Sequence, residues 1–227
     1  MPALCRQGRF FLCAFYCTMN HMNKTIEAEL RSIIDEKKYA ELTDFFARNA
    51  MLQHTAYQET HYLHGMYDLR IQRSDMQAKV WLKKGIMHSN AREEIAVHCS
   101  KDEFGQLEKL FSTLGFTPKI KWFRWRKEYR WRGTTVCLDY SRGYGYMLEL
   151  ERLCTPAGKG RALAALQQQA AELGITPTPK AELDKRLAYY ARHWKRLTAS
   201  GEKIPRLFRL PRIGASASRT RQNLKQK

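Results

Sequence analysis

Residues 120–151 read IKWFRWRKEYRWRGTTVCLDYSRGYGYMLELE. Two runs in this stretch alternate with period two. In the first, Trp122, Arg124 and Arg126 share one parity, and Lys121, Phe123 and Trp125 share the other. In the second, Met147, Glu149 and Glu151 oppose Tyr146, Leu148 and Leu150. Successive side chains on a strand point to opposite faces. One strand therefore presents paired arginines and the other paired glutamates. If both faces look into one cavity, it holds cations beside an acidic metal site, a combination that suits a polyphosphate carried with Mg²⁺.

The same alternation extends outward. Residues 24–33 place Glu27, Glu29 and Arg31 on one parity against Ile26, Ala28 and Leu30. A strand from Gln53 to His64, a turn at His64–Gly65 and the run DLRIQR follow, the last with Arg70 and Gln72 on one face. AKVWLKKG then puts Lys79, Trp81 and Lys83 on one face, and AREEIAVH puts Arg92, Glu94 and Ala96 on another. The central stretch supplies strands over 118–131, 134–140 and 144–153, with turns at Arg132–Gly133 and Ser141–Arg142–Gly143. That makes eight strands.

Helical spacing marks four further segments. Over 35–50, Tyr39, Leu42, Phe45 and Phe46 form one apolar stripe. Over 101–114 the stripe is Phe104, Leu107, Leu110, Phe111 and Leu114, with Gly115 as a stop. Residues 158–173 are rich in Ala, Leu and Gln. A last helix starts at Pro179, with Thr178 as its expected cap and Leu183, Leu187, Tyr190, Trp194 and Leu197 on one side. A solvated sheet also alternates, but its polar face mixes Thr, Ser, Gln and both signs of charge. Here acidic pairs come first and last with basic residues between, so a closed barrel with a polar interior explains the pattern better.

The formal charge of +18 points to anionic partners. It is unevenly spread: from Lys203 onward there are eight Lys and Arg and no acidic residue, leaving +10 for the rest. The expected organisation is an N-terminal extension over 1–22, one domain over 23–199 and a disordered basic tail over 200–227. That tail is a candidate for nonspecific contact with RNA or another polyanion. The apolar run Phe10 to Cys17 resembles a short signal peptide core, but Tyr16, Cys17 and Thr18 make a poor cleavage site. Residues 1–22 are therefore read as dispensable. The six scattered cysteines form no CxxC pair, which favours a reducing, cytoplasmic setting and disfavours a zinc site at Cys13 and Cys17. No apolar run reaches membrane-spanning length. His61, His64, His88 and His98 show no metal-ligand spacing. For Trp81 and Trp122, barrel packing is favoured over stacking on a base.

Taken in order, these motifs resemble the CYTH, or triphosphate tunnel metalloenzyme, superfamily, which includes class IV adenylyl cyclases and thiamine triphosphatases. Glu27, Glu29 and Arg31 resemble its ExExK signature, and Leu69 to Gln72 its LRIR. The strand ending at Lys83 resembles its LTLK, with Trp81 in place of Thr, and Arg92 and Glu94 match its RxE. Trp122, Arg124, Arg126 and Tyr129 fit VxKxRxxY. Leu138–Asp139 and the run Gly145 to Glu151 fit LD followed by GxFxExE. Each motif is weak alone; six in the family order are specific. The resemblance covers roughly residues 24–197.

The resemblance implies an α+β fold: an eight-stranded antiparallel tunnel barrel with helices packed outside and a C-terminal helical pair. It implies Mg²⁺ or Mn²⁺ held by Glu27, Glu29, Glu149 and Glu151, with Glu94 and Asp139 as secondary candidates. It implies a triphosphate, organic or inorganic, held by Arg31, Arg70, Lys79, Lys83, Arg92, Arg124 and Arg126. Glu27, Glu29 and Arg31 would carry the catalytic signature. The expected activity is triphosphate hydrolysis, with adenylyl cyclase activity or noncatalytic nucleotide or polyphosphate binding as alternatives. Three departures bear on that choice: Arg31 for the signature lysine, Gln72 for an arginine, and Ala96 where many members have another glutamate.

Overall fold

A computed structural model of the chain describes residues 26–84 and 91–199, with backbone alone at 91 and 92. In chain order the elements are β1 (Ile26–Ile34), α1 (Glu36–Asn49), β2 (Met51–Leu63), β3 (Asp68–Ser74), β4 (Ala78–Lys83), β5 (Ala91–Arg92) and β6 (Glu94–Cys99). Then follow α2 (Phe104–Thr113), β7 (Pro118–Trp131), β8 (Thr134–Ser141), β9 (Gly145–Cys154), α3 (Lys159–Glu172) and α4 (Lys180–Ala199). The strands form one sheet of order β5-β1-β9-β8-β7-β2-β3-β4-β6, and every neighbouring pair is antiparallel.

The expected eighth strand, AREEIAVH, is split at Glu93. Its first half, β5, pairs with β1, Glu27 opposite Arg92. Its second half, β6, pairs with β4, Lys83 opposite Glu94. The two ends of the sheet are thus separated by a single residue, and the sheet closes into a ring. Closure removes the unpaired edges that an open sheet would expose. Where β1 runs on past β5, the α3–α4 linker takes over. The amide of Thr178 donates to the Arg31 carbonyl at 2.9 Å, and the Ile33 amide donates to Thr178 Oγ1 at 2.8 Å. Thr178 is therefore a clasp on β1 and not the expected cap of α4, whose first turn closes on the Pro179 carbonyl.

Outside the ring lies the main core. Ala28, Leu30, Val136, Leu138, Leu148 and Leu150 point out from β1, β8 and β9 and pack under Tyr39, Leu42 and Phe46 of α1 and Leu166 and Ala170 of α3. Trp125, Tyr129 and Trp131 join them from the outer face of β7. Tyr129 thus belongs to this core and not to the interior, its ring 5.5 Å from that of Phe46. Asp35 starts α1 by accepting from the Lys38 amide at 2.7 Å, a cap worth about 1 kcal/mol. On α2 only part of the expected stripe is covered: Phe104, Leu107 and Phe111 pack on Leu63, Ile71 and Ala78, while Leu110 and Leu114 stay exposed.

Helix α4 does something different. Its Tyr190 packs against Ile120 and Trp122, which share the inward parity of β7, and Leu187 lies against the same cluster. It therefore lies across one mouth of the ring, whereas α3 packs on β1 and β9. Gly143, in the turn between β8 and β9, has φ +71 and lies so close to α4 that an added Cβ would stand 2.6 Å from Leu197 Cβ. A side chain there would be strained and would also push the end of α4 away. The Arg132–Gly133 turn has both φ values positive, 47° and 75°, as a two-residue hairpin with matched twist requires.

Candidate functional site

The parity read from the sequence is the inward face. Glu27, Glu29 and Arg31 of β1, Arg70 and Gln72 of β3, Lys79, Trp81 and Lys83 of β4, Glu94 of β6, Arg124 and Arg126 of β7, and Glu149 and Glu151 of β9 all line one cavity of about 600 Å³. Volumes of that order suit a drug-sized ligand. Of the residues expected there, Asp139 does not line the cavity, and the side chain of Arg92 lies outside the described features.

The register sets the contacts. β1 and β9 align Arg31 with Glu149 and Glu29 with Glu151. Arg31 donates to Glu29 at 2.5 Å and through Nε to Glu149 at 3.0 Å. Burial works against the charge of Arg31, but Glu29 and Glu149 outweigh it and hold the guanidinium protonated. Glu149 also accepts from Arg126. Burial alone would raise the Glu149 carboxyl; Arg126, Arg31 and Arg124 reverse that and hold it well below the usual carboxylate range.

Across the cavity's other strands each cation has a partner. Lys83 lies 3.0 Å from Glu27 and 3.2 Å from Glu94, and Lys79 lies 3.6 Å from Glu94. Arg70 donates twice to Asp68, both at 2.6 Å, and lies 4.2 Å over the ring of Tyr62. Arg124 donates to Gln58 at 2.6 Å and to Asp139 at 3.0 Å. Arg126 donates to both oxygens of Asp139, at 2.8 and 2.7 Å. Asp139 is 0% exposed, with its oxygens occupied by these two arginines. Asp139, expected as a secondary metal candidate, thus spends both of its carboxylate oxygens on arginines.

Glu151 stands apart. Among the described residues it has no hydrogen-bond or ion-pair partner. Burial, reinforced by Glu27 and Glu149, pushes its carboxyl well above the usual range. A carboxyl without a cation, beside three other glutamates on adjacent strands, fits a divalent metal. Its oxygen, a Glu149 oxygen and the sulfur of Cys137 all lie within 4.8 Å of one another. Glu29, 2% exposed, is also raised by burial, against the pull of Arg31 and Lys83.

Some residues in or beside the cavity gave no sequence signal of function. Cys137 shares the parity of Asp139 and sits opposite Glu149, so β8 does alternate, but its thiol hides in an apolar-looking run. Gln58, Thr60 and Tyr62 of β2 line the cavity, as do Tyr144, Leu183 and Leu187. His61 is fully buried on the outer face of β2, 2.8 Å from Glu59, with Phe104 of α2 against it.

A family model, the CYTH domain, matches residues 25–182, more than half of the chain. The chain belongs to the CYTH domain family. Solved structures agree on the fold. The PH1819 protein of Pyrococcus horikoshii OT3 superposes with a TM-score of 0.60 at 20% identity, covering 72% of this chain and 99% of that one. The PH1012 protein of the same organism gives 0.57 at 19%, covering 66% and 91%. A candidate adenylate cyclase from Vibrio parahaemolyticus gives 0.57 at 12%, covering 72% and 98%. No curated protein sequence matches the chain. In CYTH terms, the ExExK-like run is β1 and the GxFxExE-like run is β9, adjacent in the sheet. Among the described residues no helix is long and apolar enough to cross a membrane.

Proposed function

We propose that this CYTH protein hydrolyses a triphosphate with a divalent cation, Mg²⁺ or Mn²⁺, held by Glu27, Glu29, Glu149 and Glu151. One observation supports this above others: a single cavity lined by glutamates from β1 and β9 and by arginines and lysines from β1, β3, β4 and β7. When bound, the cation neutralises phosphate charge and activates an attacking oxygen. The chain's own residues bind and orient. Arg124 and Arg126, fixed by Asp139, and Lys79 and Lys83 hold phosphate oxygens, and phosphoryl transfer needs such positioning and charge more than a protein nucleophile.

Arg31 cannot serve as a base, because its guanidinium stays charged. Its part is to bridge Glu29 and Glu149 until phosphate arrives. Each guanidinium that turns to a phosphate releases a carboxylate, so anion and divalent cation favour each other's binding. Glu94, between Lys79 and Lys83, orders those lysines.

The test is a turnover panel with tripolyphosphate, ATP, GTP and thiamine triphosphate, in Mg²⁺, in Mn²⁺ and in EDTA, measuring phosphate and cyclic nucleotide. Metal-dependent phosphate release is expected from at least one. Cyclic nucleotide from ATP would replace hydrolysis by cyclisation. Metal-enhanced binding with no product would make the protein a binding module.

A further inference from the structure

The cavity has two chemically different parts. One is the charged set already described. The other lies at the mouth crossed by α4, where Tyr62, Trp122 and Tyr144 meet Leu183 and Leu187. The Trp122 ring is 4.6 Å from Tyr144 and 6.2 Å from Tyr62, so the aromatic surface is continuous. An inorganic polyphosphate offers only anionic oxygens, which gain nothing from such a wall and lose solvation beside it.

Trp81 stands at the border between the two parts. It is 4% exposed and lines the cavity. Across the ladder it faces Arg70 on β3 and Ala96 on β6, and the small Ala96 leaves width for an indole in this row. The Arg70 guanidinium joins it to the aromatic part, 4.2 Å from the Tyr62 ring and 5.6 Å from the Trp81 ring. Trp122 spends its indole N–H on Ser141 Oγ at 2.8 Å. The Trp81 Nε1–H is buried and has no partner among the described residues. A buried indole donor almost always finds an acceptor, so an unpaired one in a cavity wall points to an acceptor on the ligand.

We propose that the mouth under α4 is the subsite for a heteroaromatic head group of an organic triphosphate, and that Trp81 donates its N–H to a ring nitrogen or carbonyl of that group. This rests on the triphosphate reading of the charged part. It makes Trp81 and the α4 residue Leu187 determinants of specificity, and the protein a poor binder of inorganic tripolyphosphate relative to its organic counterpart.

Calorimetric binding in EDTA, where nothing turns over, tests it with the full chain and four probes: ATP, GTP, thiamine triphosphate and tripolyphosphate. At least one organic triphosphate is expected to bind about tenfold or more tighter than tripolyphosphate, the gain of one well-placed buried hydrogen bond plus apolar contact. Trp81→Phe keeps the ring and removes only the donor; it should weaken that ligand about tenfold and leave tripolyphosphate within about twofold. Leu187→Gln, on a half-buried helix position, should weaken the same ligand severalfold and also spare tripolyphosphate. This second variant keeps the test decisive if Trp81→Phe folds poorly. Equal losses for both ligand types would give the N–H to a phosphate and overturn the head-group subsite while leaving the triphosphate reading intact. So would a wild type that prefers tripolyphosphate. Failure of every probe to bind the wild type, in EDTA and again with Mg²⁺ or Mn²⁺ present, would overturn the triphosphate reading itself, and this subsite with it.

Discussion

Two walls of one cavity differ in how closely they follow the CYTH pattern. The β1–β9 wall keeps all four glutamates, and its one departure, Arg31, preserves charge. The wall of β3, β4 and β6 departs at Gln72, Trp81 and Ala96, on three successive strands within two rungs of the ladder: Gln72 faces Lys79, and Trp81 faces Ala96. One cation and one carboxylate are absent there together, so the departures cancel in charge. Loss of function would be expected to erode the costly buried carboxylates as readily as anything else. Instead Glu29 and Glu149 remain, at 2% and 5% exposure. The contrast fits the proposed metal role for one wall and a proposed change of recognition on the other.

The largest effect should come where the arginine wall is anchored. Asp139→Asn leaves Arg126 and Arg124 to share Glu149 as their one remaining buried carboxylate partner among the described residues. We expect a stability loss of about 3–5 kcal/mol in denaturant unfolding. A loss under about 1 kcal/mol would show that the arginines re-pair with Glu149 at little cost.

A smaller effect separates Glu151 from its neighbours. Its carboxyl is raised in the fold, so the folded state binds more protons than the unfolded chain above the ordinary carboxylate pKa of about 4.3. Stability is therefore full below that pH and falls as pH rises through the folded pKa, by at most about 1.4 kcal/mol per pH unit. In metal-free protein Glu151→Gln should flatten this fall, and Mn²⁺ should oppose it in the wild type. An unchanged slope in the variant would place the proton elsewhere.

Arg31→Lys tests the β1–β9 wall more gently. A lysine cannot bridge Glu29 and Glu149 as a guanidinium does, so tripolyphosphate should bind about three- to tenfold more weakly. A rise in turnover would instead show that the position works best with a lysine that can give up its proton. No change in either would put Arg31 outside the site. Smallest of all, removing residues 1–22 and 200–227 should leave unfolding cooperative and turnover within about twofold. Loss of cooperative unfolding would move the domain boundaries.

Period-two alternation made the interior legible because burial on a strand is a local property of parity. Arg124, Arg126, Glu149 and Glu151 could be placed from two strands' worth of letters. What parity lacks is depth: Asp139 shares the inward face but sits behind it, and only its hydrogen bonds from Arg124 and Arg126 reveal that. The stripe on α4 was also readable, but its destination was not, since an apolar face is the same whether it covers an outer wall or a mouth. The break at Glu93 and the clasp at Thr178 depend on where the ring must close, which is set by strands far away in sequence. Trp81 looked like barrel packing because indoles usually are; its unpaired N–H is visible only in three dimensions.

The most direct test of the metal wall replaces Glu149 and Glu151 together by Gln. Size is kept and two negative charges are lost. Turnover supported by Mg²⁺ or Mn²⁺ should fall by about a hundredfold or more, because the cation loses two of its anchors. Tripolyphosphate binding in EDTA should persist or tighten, because Arg124 and Arg126 remain and repulsion falls. Full metal-dependent turnover in the doubly substituted protein would contradict the account and return these glutamates to the role of polar residues on an ordinary sheet.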